Sequence, residues 1–105
     1  QELFVDAFAQ RYDLENIKIM NRFALDEIYY VVRDDTSLYA FNGAYTKVYK
    51  ENYVSFDKVY SLASELGFNK SQVKYGVFGD TIVFSLEKSD RIVMVDMDNL
   101  EIVFE

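Results

Sequence analysis

The sequence predicts an α+β fold made of two αβββ-type units, each a helix packed on a small antiparallel sheet. Three observations predict it. Apolar residues recur at helical spacing in two places, around Val5 and around Val59. Each of these stretches is followed by short β-rich runs separated by turn-forming residues. The two halves also superimpose without a gap at an offset of 54 residues. A chain of 105 residues with 50 % apolar side chains, nine Phe and nine Tyr among them, has ample material for a core.

The first helix is expected from Glu2 to Leu14, where Val5, Phe8, Ala9 and Tyr12 form one stripe of a 3.6-residue repeat. The second begins at Ser55, whose hydroxyl suits an N-cap. It carries Val59, Leu62, Ala63 and Leu66 on its apolar face, and Gly67 is placed for a left-handed stop. Strand-length runs follow the first helix at Ile17 to Phe23, Ile28 to Arg33, Leu38 to Phe41 and Lys47 to Tyr49. Those after the second are Val73 to Phe78, Thr81 to Leu86, Arg91 to Val95 and Glu101 to Phe104. Asp34-Asp35-Thr36-Ser37, Asn42-Gly43, Gly79-Asp80, Ser89-Asp90 and Asp96-Met97-Asp98-Asn99 break the runs and predict antiparallel hairpins. The offset pairs Val5, Ala9, Asp26, Ile28 and Glu51 with identical residues, and it aligns the order helix, hairpin, hairpin. Units at 1–51 and 55–105 follow, one compact domain being the alternative.

Composition excludes several classes of function. Eleven Lys and Arg against eighteen Asp and Glu leave a net charge of −7, which argues against nucleic acid and against anionic lipid head groups. No window approaches the roughly eighteen consecutive apolar residues of a membrane-spanning helix. The chain starts at Gln1 rather than Met, so any membrane anchor is expected upstream of it. Histidine, cysteine, tryptophan and proline are absent, which removes the commonest metal ligands, thiol nucleophiles, disulfides and histidine general bases. No catalytic residue, metal site or cofactor is expected.

The second half contains Ser55-Phe-Asp-Lys58, Ala63 with Gly67, the hairpin through Gly79-Asp80-Thr81-Ile82-Val83-Phe84, and Ile92-Val-Met-Val-Asp96 followed by Leu100-Glu-Ile102. It resembles a PepSY domain, one helix on a small antiparallel sheet. The first half has Phe23-x-x-x-Glu27-Ile-Tyr29-Tyr30-Val31-Val32 and Leu38-Tyr39-Ala-Phe41. It is similar to the opening of the extracytoplasmic part of YpmB-type proteins of Gram-positive bacteria, which carry a tandem PepSY-like, cystatin-like pair. The likeness spans nearly all of the chain through apolar spacing and turns. It departs from the family where the usual Thr-Gly turn before the last strand is Asp98-Asn99, and Ala44-Tyr45 in the first half. The resemblance implies a cell-envelope protein, extracytoplasmic and membrane-anchored through an upstream segment, in a family associated with restraining peptidases and with envelope regulation.

Two acidic motifs read as turns. Asp96-x-Asp98-Asn99 opens like a calcium loop, but the sixth position is Glu101 where a sharp turn needs glycine, and the twelfth falls beyond Glu105. Asp34 and Asp35 are adjacent, so their carboxylates diverge rather than share acid and base work. The tyrosines are the candidate binding residues, because a phenol combines apolar area with a polar tip. On the run from Ile28 to Arg33, alternation and the repeat put Ile28, Tyr30 and Val32 on the core face and Tyr29 nearer solvent. Tyr39, Tyr45 and Tyr49, with Tyr53, gather around the turns and last strand of the first half as a candidate aromatic patch. Their alternative is a packed layer where the two units meet. The function expected is a non-enzymatic interaction module for an envelope protein or peptide, bound through a sheet edge or the tyrosine face. A cell-wall glycan or muropeptide site is the alternative and needs a concave surface. An enzyme needs a deep pocket enclosing two facing carboxylates.

Overall fold

The computed structural model describes residues 2–25, 27–44 and 47–105. It is an α+β chain, mostly sheet, that divides into two compact units, Gln1–Tyr53 and Val54–Glu105. In the first unit helix α1 (Glu2–Tyr12) precedes strands β1 (Lys18–Ala24), β2 (Ile28–Arg33), β3 (Leu38–Phe41) and β4 (Lys47–Lys50). In the second, a 3-10 turn (Phe56–Lys58) leads into helix α2 (Tyr60–Glu65). Strands β5 (Val73–Phe78), β6 (Thr81–Lys88), β7 (Arg91–Val95) and β8 (Ile102–Phe104) follow. Each set of strands forms one antiparallel sheet in sequence order, β1-β2-β3-β4 and β5-β6-β7-β8. Four strands per sheet correct the expected αβββ pattern. The fourth run in each half is a true strand because it completes the pairing of the third. Ala40 pairs with a buried Val48, and Met94 pairs with Phe104.

The stop signal of the first helix is written without glycine. Asp13 takes a φ of 56°, Leu14 N–H bonds Ala9 O at 2.8 Å and Asp13 N–H bonds Gln10 O at 3.3 Å. Gly67 does the same at φ 89°, with Phe68 N–H on Ala63 O at 2.8 Å and Gly67 N–H on Ser64 O at 3.1 Å. This is the Schellman arrangement, in which the residue past the helix turns left-handed and its neighbours satisfy the last carbonyls. All four positions differ by 54 residues. Ser55 caps differently from expectation: its Oγ accepts the Asp57 N–H at 3.2 Å, but the turn it caps is the 3-10 turn, and α2 proper starts five residues later. The reason is local, since Lys58 N–H bonds Ser55 O and Val59 N–H bonds Phe56 O, the tighter i→i+3 pattern.

The hairpins keep the repeat in step by different means. Phe78 pairs with Thr81 across a two-residue turn opened by Gly79 at φ 65°, whereas Ala24 pairs with Ile28 across three residues. A bulge between Ile19 and Asn21 absorbs the extra residue, so Lys18 faces Arg33 and Ile19 faces Val32. Beyond it Val32 pairs with Tyr39 just as Leu86 pairs with Val93, 54 residues later.

In the first unit α1 lays Val5 and Phe8 against Val32, Tyr39 and Phe41. The Phe8 and Phe41 rings stack at 3.8 Å, with an 8° angle between them. In the second, Phe56 packs 4.4 Å from Tyr75, and Val59, Ala63 and Phe84 are buried. The Tyr75 hydroxyl donates to Val54 O at 2.6 Å. Ile28 departs from the expected core face: it is 45 % exposed, while Val32 on its face and Val31 on the opposite face are both fully buried. The physical reason is position along the strand. Ile28 lies at the hairpin end, away from the part of the strand where Val32 meets α1, and β2 is covered on both faces at its centre rather than on one.

Candidate functional site

The site begins with a turn. Asp34 Oδ1 accepts the N–H groups of Thr36 at 3.0 Å and Ser37 at 2.8 Å, closing the β2–β3 hairpin as an Asx turn. Its other oxygen accepts the Tyr39 hydroxyl at 2.9 Å. Burial alone raises the Asp34 pKa, but the hydrogen bonds from Thr36, Ser37 and Tyr39 together outweigh it and bring the carboxyl below its ordinary 3.8. The same pairing acts on the phenol. Burial first, then the hydrogen bond to Asp34 and its charge, push Tyr39 up to about 12. Ser37, itself buried, donates to Glu51 O at 2.8 Å. With its proton placed there, Ser37 Oγ is the acceptor of the Tyr49 hydroxyl at 3.3 Å.

Two tyrosines are thereby fixed by their hydroxyls, 5.2 Å apart between ring centroids. Tyr49 is on β4 directly across from Tyr39, and Lys47 is two residues before it on the same strand face. The Lys47 ammonium sits 4.7 Å from the Tyr12 ring, at the end of α1, and 5.9 Å from each of the Tyr39 and Tyr49 rings. Three electron-rich faces thus surround one cation within the range at which ring quadrupoles attract it.

The four expected binding tyrosines separate. Tyr49 is 51 % exposed on edge strand β4. Tyr39 is 8 % exposed, a correction to the expected patch: β3 is an interior strand, and α1 covers the face that carries this ring. Tyr29 is half-buried, and its hydroxyl bonds Glu27 and Asn42; burial and then the Glu27 charge raise its pKa. Asn42 Nδ2 also donates to Glu27 Oε2 at 2.9 Å. Tyr45 lies outside the described residues. Tyr53 is half-buried with the Arg33 guanidinium 3.9 Å from its ring. Sequence reasoning missed Tyr12 and Lys47. The signal for Lys47 was present, since alternation places it on the Tyr49 face of one strand, but the approach of α1 has no local signature.

The acidic motifs act in turns. Asp96 Oδ1 accepts Asp98 N–H at 2.8 Å and Asn99 N–H at 3.1 Å, and the left-handed residue of this turn is Leu100 at φ 61°. Asp13, Glu15, Asp34 and Asp35 line an open hollow of about 430 Å³. Among the described residues no group of carboxylates is placed to hold a metal ion, and no helix is long and apolar enough to cross a membrane. In the second unit Ser85 is fully buried and donates to Glu87 Oε2 at 2.7 Å, and Glu87 Oε1 pairs with Lys74 at 3.1 Å. This chain of bonds satisfies a buried hydroxyl rather than activating it. Compared with family models, curated proteins and solved structures, the chain matches none of them.

Proposed function

We propose that this chain is a non-enzymatic interaction module of the PepSY-like, YpmB type, two helix-on-sheet units that sit outside the membrane on an upstream anchor and bind an envelope protein or peptide. The β4 edge and its tyrosine face form the binding surface. One observation carries the reading: an edge strand presents a half-exposed tyrosine whose hydroxyl is already bonded, beside a second ring held by its own hydroxyl. Edge strands offer unpaired main-chain groups to an extended partner, and fixed aromatic rings give binding area at small entropic cost. The family part of the proposal draws support from the helix stop, strand order and β2–β3 register that recur 54 residues apart.

A second reading, a wall glycan or muropeptide site, is favoured by the open hollow with Asp13, Glu15, Asp34 and Asp35 next to the Thr36–Ser37 turn that holds Tyr49. Carboxylates there can accept sugar hydroxyls while an aromatic face stacks on the ring. A crosslinking capture from the source organism's envelope fraction, run with the parent chain and with Tyr49→Ser, separates the two. A protein captured by the parent and lost in the variant is the expected result. Wall fragments alone favour the glycan reading, and identical captures by both forms overturn the proposed surface.

A further inference from the structure

We propose that the ring cluster formed by Tyr12, Tyr39 and Tyr49 is a recognition box for the lysine side chains of a basic partner segment, with Lys47 as its resident stand-in. This rests on the interaction-module reading above and names the chemistry of the partner. The distances state what the box prefers. An ammonium already occupies it, 4.7 Å from one ring and 5.9 Å from two others. The walls are held before any ligand arrives, because Tyr39 donates to the Asp34 carboxylate at 2.9 Å and Tyr49 to Ser37 at 3.3 Å. A phenol bonded to an anion has a more electron-rich face, which strengthens its pull on a cation. Tyr12 closes α1, so the negative end of the helix dipole faces the same place.

The resident is replaceable. Lys47 is exposed, on an edge strand, and holding its long stem in one position costs rotamer freedom that release returns. A strand added along β4 sets its own residues directly across from Lys47 and Tyr49 on the face that carries the box, so backbone pairing and lysine insertion are compatible. The net charge of −7 attracts a basic segment and repels an acidic one.

The test uses the purified chain and a capped peptide of alternating threonine and lysine, read by tyrosine fluorescence, which no tryptophan obscures. A threonine–glutamate peptide is the control. Lys47→Ala removes the ammonium shared by the three rings and leaves only the Arg11 guanidinium, 6.0 Å from the Tyr12 ring, so binding of the threonine–lysine peptide is expected to tighten about tenfold, the size of one good cation–π contact. Adding Tyr49→Leu to that variant is expected to reverse the gain. Tyr49 is exposed, so this second change removes a wall without opening the core, and circular dichroism checks that each variant is folded. Equal affinity in the parent and Lys47→Ala chains overturns the proposal, as does equal binding of the glutamate peptide. Tetramethylammonium bound without the peptide would assign the box to a small cation and overturn the peptide partner. Failure of this inference alone leaves the envelope capture intact and insensitive to Lys47→Ala, whereas failure of the wider reading removes the capture itself.

Discussion

Asp13 performs at the end of α1 the task that Gly67 performs at the end of α2, and an L-residue with a side chain is strained at φ 56°. Asp13→Gly is therefore expected to stabilise the chain by about 0.5–1 kcal/mol, after the greater flexibility of glycine in the unfolded chain is subtracted, and a shift in urea midpoint measures it. Tyr39 and Asp34 set a second expectation. The Tyr39 pKa rises from 10.0 to about 12 on folding, so the folded state keeps a proton that the unfolded chain releases. Stability from this pair is complete below pH 10 and is lost as pH climbs toward 12. Asp34 has a lowered pKa, so its share is present above its ordinary 3.8 and is lost as pH falls through the folded value. Ultraviolet titration of the parent and Tyr39→Phe shows whether one phenol titrates last. The need for a left-handed residue near position 13 was legible in the repeat, but aspartate disguises it. The burial of Tyr39 was not legible, because alternation tells which face a residue is on and not which face a helix will cover.

At the scale of elements, periodicity and turn chemistry placed both helical segments and all eight strands to within a few residues. What escaped were the adjustments between them. The bulge in β1 cannot be seen in an apolar pattern, yet without it the register set by the longer first hairpin would carry through to Lys18 and Ile19 and turn those side chains to the other face. The 3-10 turn after Ser55 is another adjustment, set by packing rather than by propensity: Phe56 lies against Tyr75, and Tyr75 reaches back to Val54 O. Tyr75→Phe keeps the ring contacts and removes this one bond, so a loss of about 1 kcal/mol is expected in denaturant unfolding, with no change in far-ultraviolet dichroism. A loss near zero would show that the turn is held by ring packing alone.

For the whole molecule, the basic partner proposed above would meet an acidic chain of net charge −7 that holds a basic side chain among three tyrosines on an edge strand. Association steered by this charge weakens as salt rises, because surface fields are screened over roughly 8 Å at physiological ionic strength. The sequence drew attention to the tyrosines, but the number of residues that build the ring cluster depends on how α1 lies across β3 and β4, which is a property of the folded unit. The most direct test is a photo-crosslinking residue placed at Tyr49, and in a second variant at Ile102 on β8, in cells of the source organism. A protein adduct formed from position 49 and absent from position 102 is the result this account predicts. An adduct formed from position 102 with none from 49 would contradict it and move the binding surface to the second sheet.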